Sequence, residues 1–384
     1  MSDTVLALNA GSSSLKFGYY SLQHGNAPRE LAHGQLEGKD GVTISARSVK
    51  GTQNVSLPLR ADDGARLEEL IAWLADTFDA PVPCSIGHRV VHGGPDFAGP
   101  AVITPDVRTA IDRLTPLAPL HQPPALALID AASAICPRAQ QVACFDTSFH
   151  HHLTPPVSRY GIPRAWEEKG LRRYGFHGLS YESIVSQLPE QHERRMVVAH
   201  LGSGASLCAI TKGRSCDTTM GFSALDGLVM STRPGAIDPG ILLYMLRHDG
   251  MNVAELEEAL YRESGLKGVS GLSGDVQELV ESDRKDAAEA IQLFTFRIAR
   301  EVAAMTNTLQ GIDTLVFTGG VGENAPEIRT AVCQRLAWLG TEIDEVENRN
   351  NATRLSPDTS PVDVLLVKTD EEQVIAAHTA KLTA

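Results

Sequence analysis

The residues of this chain able to do chemistry together are three glycine-rich turns, two arginines in sheltered surroundings, an aspartate at a strand end and a histidine between glycines. The first turn lies in Val5-Leu6-Ala7-Leu8-Asn9-Ala10-Gly11-Ser12-Ser13-Ser14-Leu15-Lys16-Phe17-Gly18, where two alternating apolar runs flank a small, hydroxyl-rich loop. That pattern predicts an antiparallel hairpin. Backbone N–H groups, the hydroxyls and the Lys16 ammonium would then converge on one small volume, the surroundings a polyphosphate needs. A Ser-rich surface turn is the plainer reading. The second turn, Gly202-Ser203-Gly204-Ala205-Ser206, is not a dinucleotide fingerprint, because the third glycine of that motif falls at Leu207 and a strand follows. The third, Phe317-Thr318-Gly319-Gly320-Val321-Gly322-Glu323-Asn324, follows the strand 314–318 and precedes a helix, with glycines that let backbone approach a ligand closely.

Arg89 stands inside the apolar strand Ile86-Gly87-His88-Arg89-Val90-Val91, and Arg233 in the Gly/Pro loop Met230–Gly235. Each guanidinium needs a carboxylate of the fold or an anionic substrate. Asp146 ends the strand Val142–Phe145, a position suited to holding hydrated Mg2+ or to capping the next turn. His177 lies between Gly175 and Gly178 and is expected to be accessible, whereas His150-His151-His152 reads as a loop, since consecutive residues cannot all face one ion.

These residues require strands ending in loops. Strand-like runs occur at 5–9, 15–20, 85–91, 142–146, 196–201, 205–211, 314–318 and 363–367. Helices are predicted near 65–78, from Pro123-Pro124 onward, over 285–310 and over 370–381. Residues 8–17 (L-N-A-G-S-S-S-L-K-F) and 200–209 (H-L-G-S-G-A-S-L-C-A) echo one another, which predicts a duplicated α/β unit with a cleft between the copies. The length of 384 residues fits two domains, placed at 1–148 and 149–369, with the last helix, 370–384, returning to the first.

Composition narrows the partners. A net charge of −13 argues against nucleic-acid binding, which normally needs a basic face, so an anionic ligand must be held by a few local cations. No apolar run reaches the roughly 18 residues a membrane span needs. The start, Met1-Ser2-Asp3-Thr4, lacks a signal-peptide profile, and the six cysteines lack Cys-x-x-Cys spacing. Reduced, buried thiols in a cytoplasmic protein are expected.

In combination the motifs resemble a known family. Asn9-Ala10-Gly11-Ser12-Ser13-Ser14-Leu15-Lys16 is similar to the amino-terminal signature of the acetokinase family, and Arg172-Arg173-Tyr174-Gly175-Phe176-His177-Gly178 resembles its second signature. His88–Gly94, Phe145-Asp146-Thr147, Phe317–Asn324 and Glu371-Glu372 fall where that family has its motifs, in order along the chain. The resemblance implies two ribonuclease-H-like α/β domains of the actin-like ATPase fold around a central cleft. It also implies reversible transfer of the ATP γ-phosphoryl group to acetate, with Mg2+ (or Mn2+), in a homodimer paired through the second domain. Carried over by residue, it implies that Asn9, Ser12 and Lys16 line the phosphate end. His200, Gly202, Ser203, Gly204, Asp275, Gln277, Gly319, Gly320, Gly322 and Asn324 would bind nucleotide. Arg89 and Arg233 would hold the carboxylate and neutralise charge, His177 would hydrogen-bond the transferring group, Asp146 would position metal and substrate, and Asn9 and Glu371 would serve the metal.

Three positions depart from the family pattern. Ser203 replaces an asparagine, and Gln277 replaces an arginine expected to pack against adenine. Ala224 replaces a proline lining the methyl pocket, whose other walls would be Val91, Leu120 and Phe176. The smaller wall leaves space for one methylene, about 0.8 kcal/mol when buried, so a propionate or broader short-chain acyl kinase is the alternative to acetate. A non-catalytic ATP-binding protein of the same fold would not need Arg89, Arg233 and His177 together.

Overall fold

The computed structural model describes residues 4–10, 14–22, 27–37, 42–48, 51–57, 63–78 and 82–384. Ser12 lies outside them. The chain forms two compact units, one comprising Met1–Phe149 with Asp370–Ala384, the other His150–Thr369.

The first unit is built on an eight-stranded sheet of β1 (Thr4–Ala10), β2 (Ser14–Ser21), β3 (Arg29–Glu37), β4 (Val42–Ser48), β5 (Gly51–Leu57), β6 (Ser85–Val90), β7 (Ala101–Val102) and β8 (Gln140–Phe145), in the order β5-β4-β3-β2-β1-β6-β8-β7. β1 pairs antiparallel with β2 and parallel with β6, which pairs parallel with β8. Alternation sends Leu6, Leu8, Leu15, Phe17 and Tyr19 to one face, where they bury Leu67, Leu70, Ile71 and Leu74 of helix Asp63–Phe78 and Leu128 and Ala132 of helix Gln122–Ile135. The sequence reading missed β3, β4, β5 and β7. β5 carries Thr, Gln, Asn and Ser among few apolar residues and β7 is two residues long, so neither gives a clear period-2 apolar signal, whereas β4 does alternate (Val42, Ile44 and Ala46 between Thr43, Ser45 and Arg47) and was passed over.

The final helix, Glu371–Thr383, packs on β1, β6 and β8, with the Asp370 side chain accepting the Gln373 N–H at 2.9 Å as its N-cap. Small residues make room for it: Ala7 and Gly87 are paired across β1 and β6. A methyl group on Gly87 would overlap Thr379 Oγ1 and stand 2.5 Å from Ile375 Cγ2.

The second unit repeats the central topology. β9 (Met196–Leu201), β10 (Ala205–Thr211), β11 (Arg214–Thr218), β12 (Thr314–Thr318) and β13 (Asp363–Leu366) run in the order β11-β10-β9-β12-β13. β9 is antiparallel to β10 and parallel to β12, matching β1 with β2 and β6. The echoing segments 8–17 and 200–209 are thus the β1–β2 and β9–β10 hairpins, equivalent turns of the two sheets. Helix Lys285–Leu309 packs on β10 and β11 and buries Ala287, Phe294, Ile298, Val302, Met305 and Leu309, while Ile291 is only half-buried. Among the described residues no helix is long and apolar enough to cross a membrane. All six cysteines are free, but Cys84 is exposed and Cys216 half-buried, against the expectation of buried thiols. Cys84 immediately precedes β6, outside the sheet core.

Gly87→Ala is expected to destabilise the first unit by about 1–3 kcal/mol, the usual cost of forcing atoms into a packed core. The urea midpoint reads this, and an unchanged midpoint would mean that the last helix yields freely.

Candidate active site

In the first unit, four strand and helix ends bring Asn9, Arg89, Asp146, Glu371 and Glu372 together. Arg89, on β6, donates from Nε to Asp146 Oδ1 at 3.0 Å and from Nη2 to Asp146 Oδ2 at 2.7 Å. Its Nη1 donates to Asn9 Oδ1 at 3.0 Å and lies 3.8 Å from Glu371 Oε2. The Asp146 side chain is only 1% exposed. Burial alone would lower the pKa of Arg89, but Asp146 and Glu371 hold it above its ordinary value. Asn9 Nδ2 donates to Glu371 Oε2 at 2.8 Å and to Glu372 Oε1 at 2.7 Å. Burial, then the neighbouring Glu371 charge, raises the pKa of Glu372. Lys16, exposed on β2 and paired with Asn9 across the hairpin, opposes that rise.

Of the proposed acid pocket, Val91 is buried and Leu120 exposed in this unit. Phe176, in the second unit, is 2% exposed, and Ala224 is half-buried.

In the second unit the β9–β10 hairpin is closed by the Gly202 N–H on Gly204 O at 3.0 Å, leaving Ser203 exposed at its tip. The Ser231 N–H donates to Ser203 O, and Ser231 Oγ donates to Gly274 O at 2.7 Å, tying three segments together. They line a pocket of about 190 Å³ formed by Gly202, Ser203, Ser231, Gly274, Asp275 and Val321 among others. Asp275 caps helix Val276–Val280 through the Glu278 N–H. Gln277 points to solvent and donates to Glu281 Oε1 at 2.9 Å, so the pocket wall there is Asp275 and Val276.

The third glycine cluster is itself a short helix, Gly319–Asn324, rather than a loop before one. Gly319 has φ 78°, and a Cβ there would stand 2.7 Å from Leu201 O, so glycine is required where β12 turns beside β9. Gly320 is exposed, Gly322 buried, and exposed Asn324 donates to Gly320 O at 2.9 Å.

His177 and His200 stack at 4.3 Å between centroids and 23° between planes. His177 Nδ1 lies 2.9 Å from Ser206 Oγ, and His200 Nδ1 lies 2.8 Å from Ser180 Oγ. Arg233 donates from Nη1 to Ala224 O at 2.9 Å. A Cβ on Gly204 would stand 3.0 Å from Arg233 Nη2 and 3.3 Å from His177 Nε2, so both groups converge on that glycine.

The acetokinase family profile matches residues 4–377. An acetate kinase of Rhodopseudomonas palustris is 44% identical over 393 residues, spanning all of this chain and 99% of that protein. Among solved structures, a propionate kinase from Francisella tularensis superposes with TM-score 0.91 at 34% identity, covering 99% of each chain. The Porphyromonas gingivalis acetate kinase does so with TM-score 0.86 at 33% identity, covering 100% of each.

The chain belongs to the acetokinase family.

Its enzyme class is acetate kinase, its fold is the actin-like ATPase fold of two ribonuclease-H-like α/β units, and the family uses ATP and Mg2+. An acetokinase needs its glycine segments held still, and some residues that do so escaped sequence reading. Arg329 is the largest fully buried side chain among the described residues. Its five N–H groups donate to Asn348 Oδ1, Gly322 O, Glu323 O, Asn348 O and Asn351 Oδ1 at 2.6–3.1 Å. A guanidinium satisfied wholly by carbonyl oxygens thus fixes the end of the glycine helix, although burial lowers its pKa. Gln122 is likewise fully buried and grips the His92 backbone, accepting its N–H at 3.2 Å and donating to its carbonyl at 3.1 Å.

The histidine run lies in short turns, and one member of it, His150, is buried. It closes the short turn Ser148–His150 and is 1% exposed. Because Phe176 O can only accept, His150 Nε2 donates to it at 3.0 Å, and Nδ1 accepts from Ser215 Oγ at 2.8 Å.

Burial lowers the His150 pKa from the ordinary 6.5 to about 4. The unfolded chain therefore takes up this proton before the folded one, and stability falls as pH drops from about 6.5 toward 4. His150→Gln should be less stable at pH 7 and lose less over that interval in urea midpoints; parallel pH curves would overturn the assignment. Gly204→Ala should displace His177 and Arg233 and lower turnover on the order of 10- to 100-fold, as sub-ångström misplacement does. Native turnover in that variant would mean that the two groups do not act at this point.

Proposed function

We propose that the chain transfers the γ-phosphoryl group of ATP directly and reversibly to the carboxylate of acetate, with Asp146, Arg89, Arg233 and His177 as catalytic residues. The observation that carries this reading is the Arg89 junction, in which Asp146 and Asn9 fix the guanidinium plane by three hydrogen bonds. Such preorganisation lowers the barrier without reorganisation at the moment of reaction. A carboxylate is already a competent nucleophile, so the protein has to align groups and neutralise charge rather than supply a base. Asp146, committed to Arg89, acts by orienting it. Arg233 and His177 donate to the transferring group, and the pocket lined by Gly202, Ser203, Ser231 and Asp275 takes the nucleotide.

The donor set fits a hydrated Mg2+ or Mn2+. Asn9, Glu371 and Glu372 offer oxygen ligands, and with Asp146, which stays on Arg89, the local carboxylates leave room for a cation beside Arg89 and Lys16. A full protein cage is not required, because Mg2+ keeps several of its waters and takes only one or two carboxylates. Asn9 and Glu371 would hold it. When bound, the cation offsets phosphate charge.

Ala224 and the 34% identity to a propionate kinase support use of propionate as well. Assembly as a homodimer through the second unit is supported by helix Pro239–His248, where Ile241, Leu243 and Tyr244 are 49%, 50% and 61% exposed.

Incubation with ATP, Mg2+ and acetate, propionate or butyrate, with hydroxylamine trapping, should yield hydroxamate, and Arg89→Ala should cut turnover on the order of 10²–10³-fold. No hydroxamate from any of the three acids would sink the assignment. The kcat/KM for propionate is expected within about 150-fold of that for acetate; a larger gap would show a tight methyl pocket despite Ala224.

A further inference from the structure

Behind His177 runs a line of polar side chains that substrate contact does not explain. Tyr181, on helix Gly178–Gln187, and Ser206, on β10, are both fully buried, and their hydroxyl oxygens are hydrogen-bonded to each other. Ser206 Oγ also lies 2.9 Å from His177 Nδ1. His177 occupies the left-handed region at φ 57°, caps the start of that helix and stacks on His200, so its ring has a set orientation. The other nitrogen, Nε2, is the one that approaches Gly204 beside Arg233 Nη2.

Ser206 has one proton to give. A phenol is a stronger donor and a weaker acceptor than an alkyl hydroxyl, so Tyr181 donates to Ser206 and Ser206 donates to His177 Nδ1. A neutral imidazole that accepts at Nδ1 carries its hydrogen on Nε2. We infer that Tyr181 and Ser206 are positioning residues that hold His177 in the Nε2–H tautomer. The ring then donates a hydrogen bond toward the transferring phosphoryl group, where the opposite tautomer would set a lone pair against phosphoryl oxygen. No proton leaves the imidazole. This inference rests on the role assigned to His177 above.

The tautomer is read directly from long-range 1H–15N correlation spectra of the full-length protein labelled at histidine, with His177 assigned by its absence in His177→Ala. The native protein should show His177 protonated at Nε2 and bare at Nδ1. In Ser206→Ala the Nδ1–H form should appear and kcat fall on the order of 10- to 100-fold, the worth of one hydrogen bond to a charged group. KM for ATP and acetate should stay within about threefold, since only the transition-state contact is lost. Ser206→Thr, which keeps the hydroxyl, should restore most of the rate. Tyr181→Phe should lose less, and adding it to Ser206→Ala should cost little more, because the two act as one line. An Nδ1–H tautomer in the native protein overturns the inference, as does Ser206→Ala with native tautomer and kcat. Should Ser206→Ala fold poorly, the native spectrum and Tyr181→Phe decide. If His177→Ala keeps native kcat, the catalytic reading of His177 fails while the tautomer result stands apart from it.

Discussion

A guanidinium removed from water must be paired, and Arg89 is paired by residues far apart in sequence. Asn9 ends β1, Arg89 sits on β6, Asp146 follows β8 and Glu371 opens the last helix. The first sheet, the close approach at Gly87 and the return of the carboxy-terminal helix all have to be right before this one group is satisfied. Removing a partner from a buried ion pair typically costs about 3–5 kcal/mol, because the charge left behind is stranded. The junction therefore couples the stability of the first unit to the geometry of its chemistry.

The second unit solves a different problem with the same strand order. At the strand ends where the first unit places a guanidinium and carboxylates, it places the Gly202–Gly204 turn, the Gly319–Asn324 helix and His200, on which His177 stacks from the start of helix Gly178–Gln187. Paired charge dominates the strand ends of one sheet and close backbone approach those of the other, where Arg233 and His177 stand beside Gly204. Topology supplies equivalent turns in both units, and the residue types within them supply the division of labour.

How legible this was depended on whether a residue's role followed from its local pattern. Asn9, Arg89 and Asp146 were visible because polar residues break apolar strands, and the long helix 285–309 because its period is regular. The fold class was legible from the echoing hairpins and the family motifs. Arg329 was not, since one arginine in a helical stretch reads as a solvated charge until Asn348 and the glycine helix close over it. Ser206 was hidden for a similar reason: it occupies an ordinary alternating position on β10, and only the fold brings Tyr181 and His177 to its hydroxyl. β5 failed from the other side, having too little apolar alternation to declare itself, while β4 alternates over only six residues with Ala46 as its third apolar position.

The three departures from the family pattern share one structural property. Ser203 accepts the Ser231 N–H through its carbonyl, Ala224 accepts Arg233 Nη1 through its carbonyl, and Gln277 accepts the Glu281 N–H through its carbonyl. Each holds its scaffold by backbone, and the Ser203 and Gln277 side chains face solvent while Ala224 is half-buried. Every residue type, proline included, has that carbonyl. Substitution at these sites can therefore change reach, charge or pocket volume without releasing the cation or loop that the backbone secures. Arg233 in particular keeps its anchor whether a proline or an alanine stands at 224, so the volume of that side chain can change without moving the guanidinium.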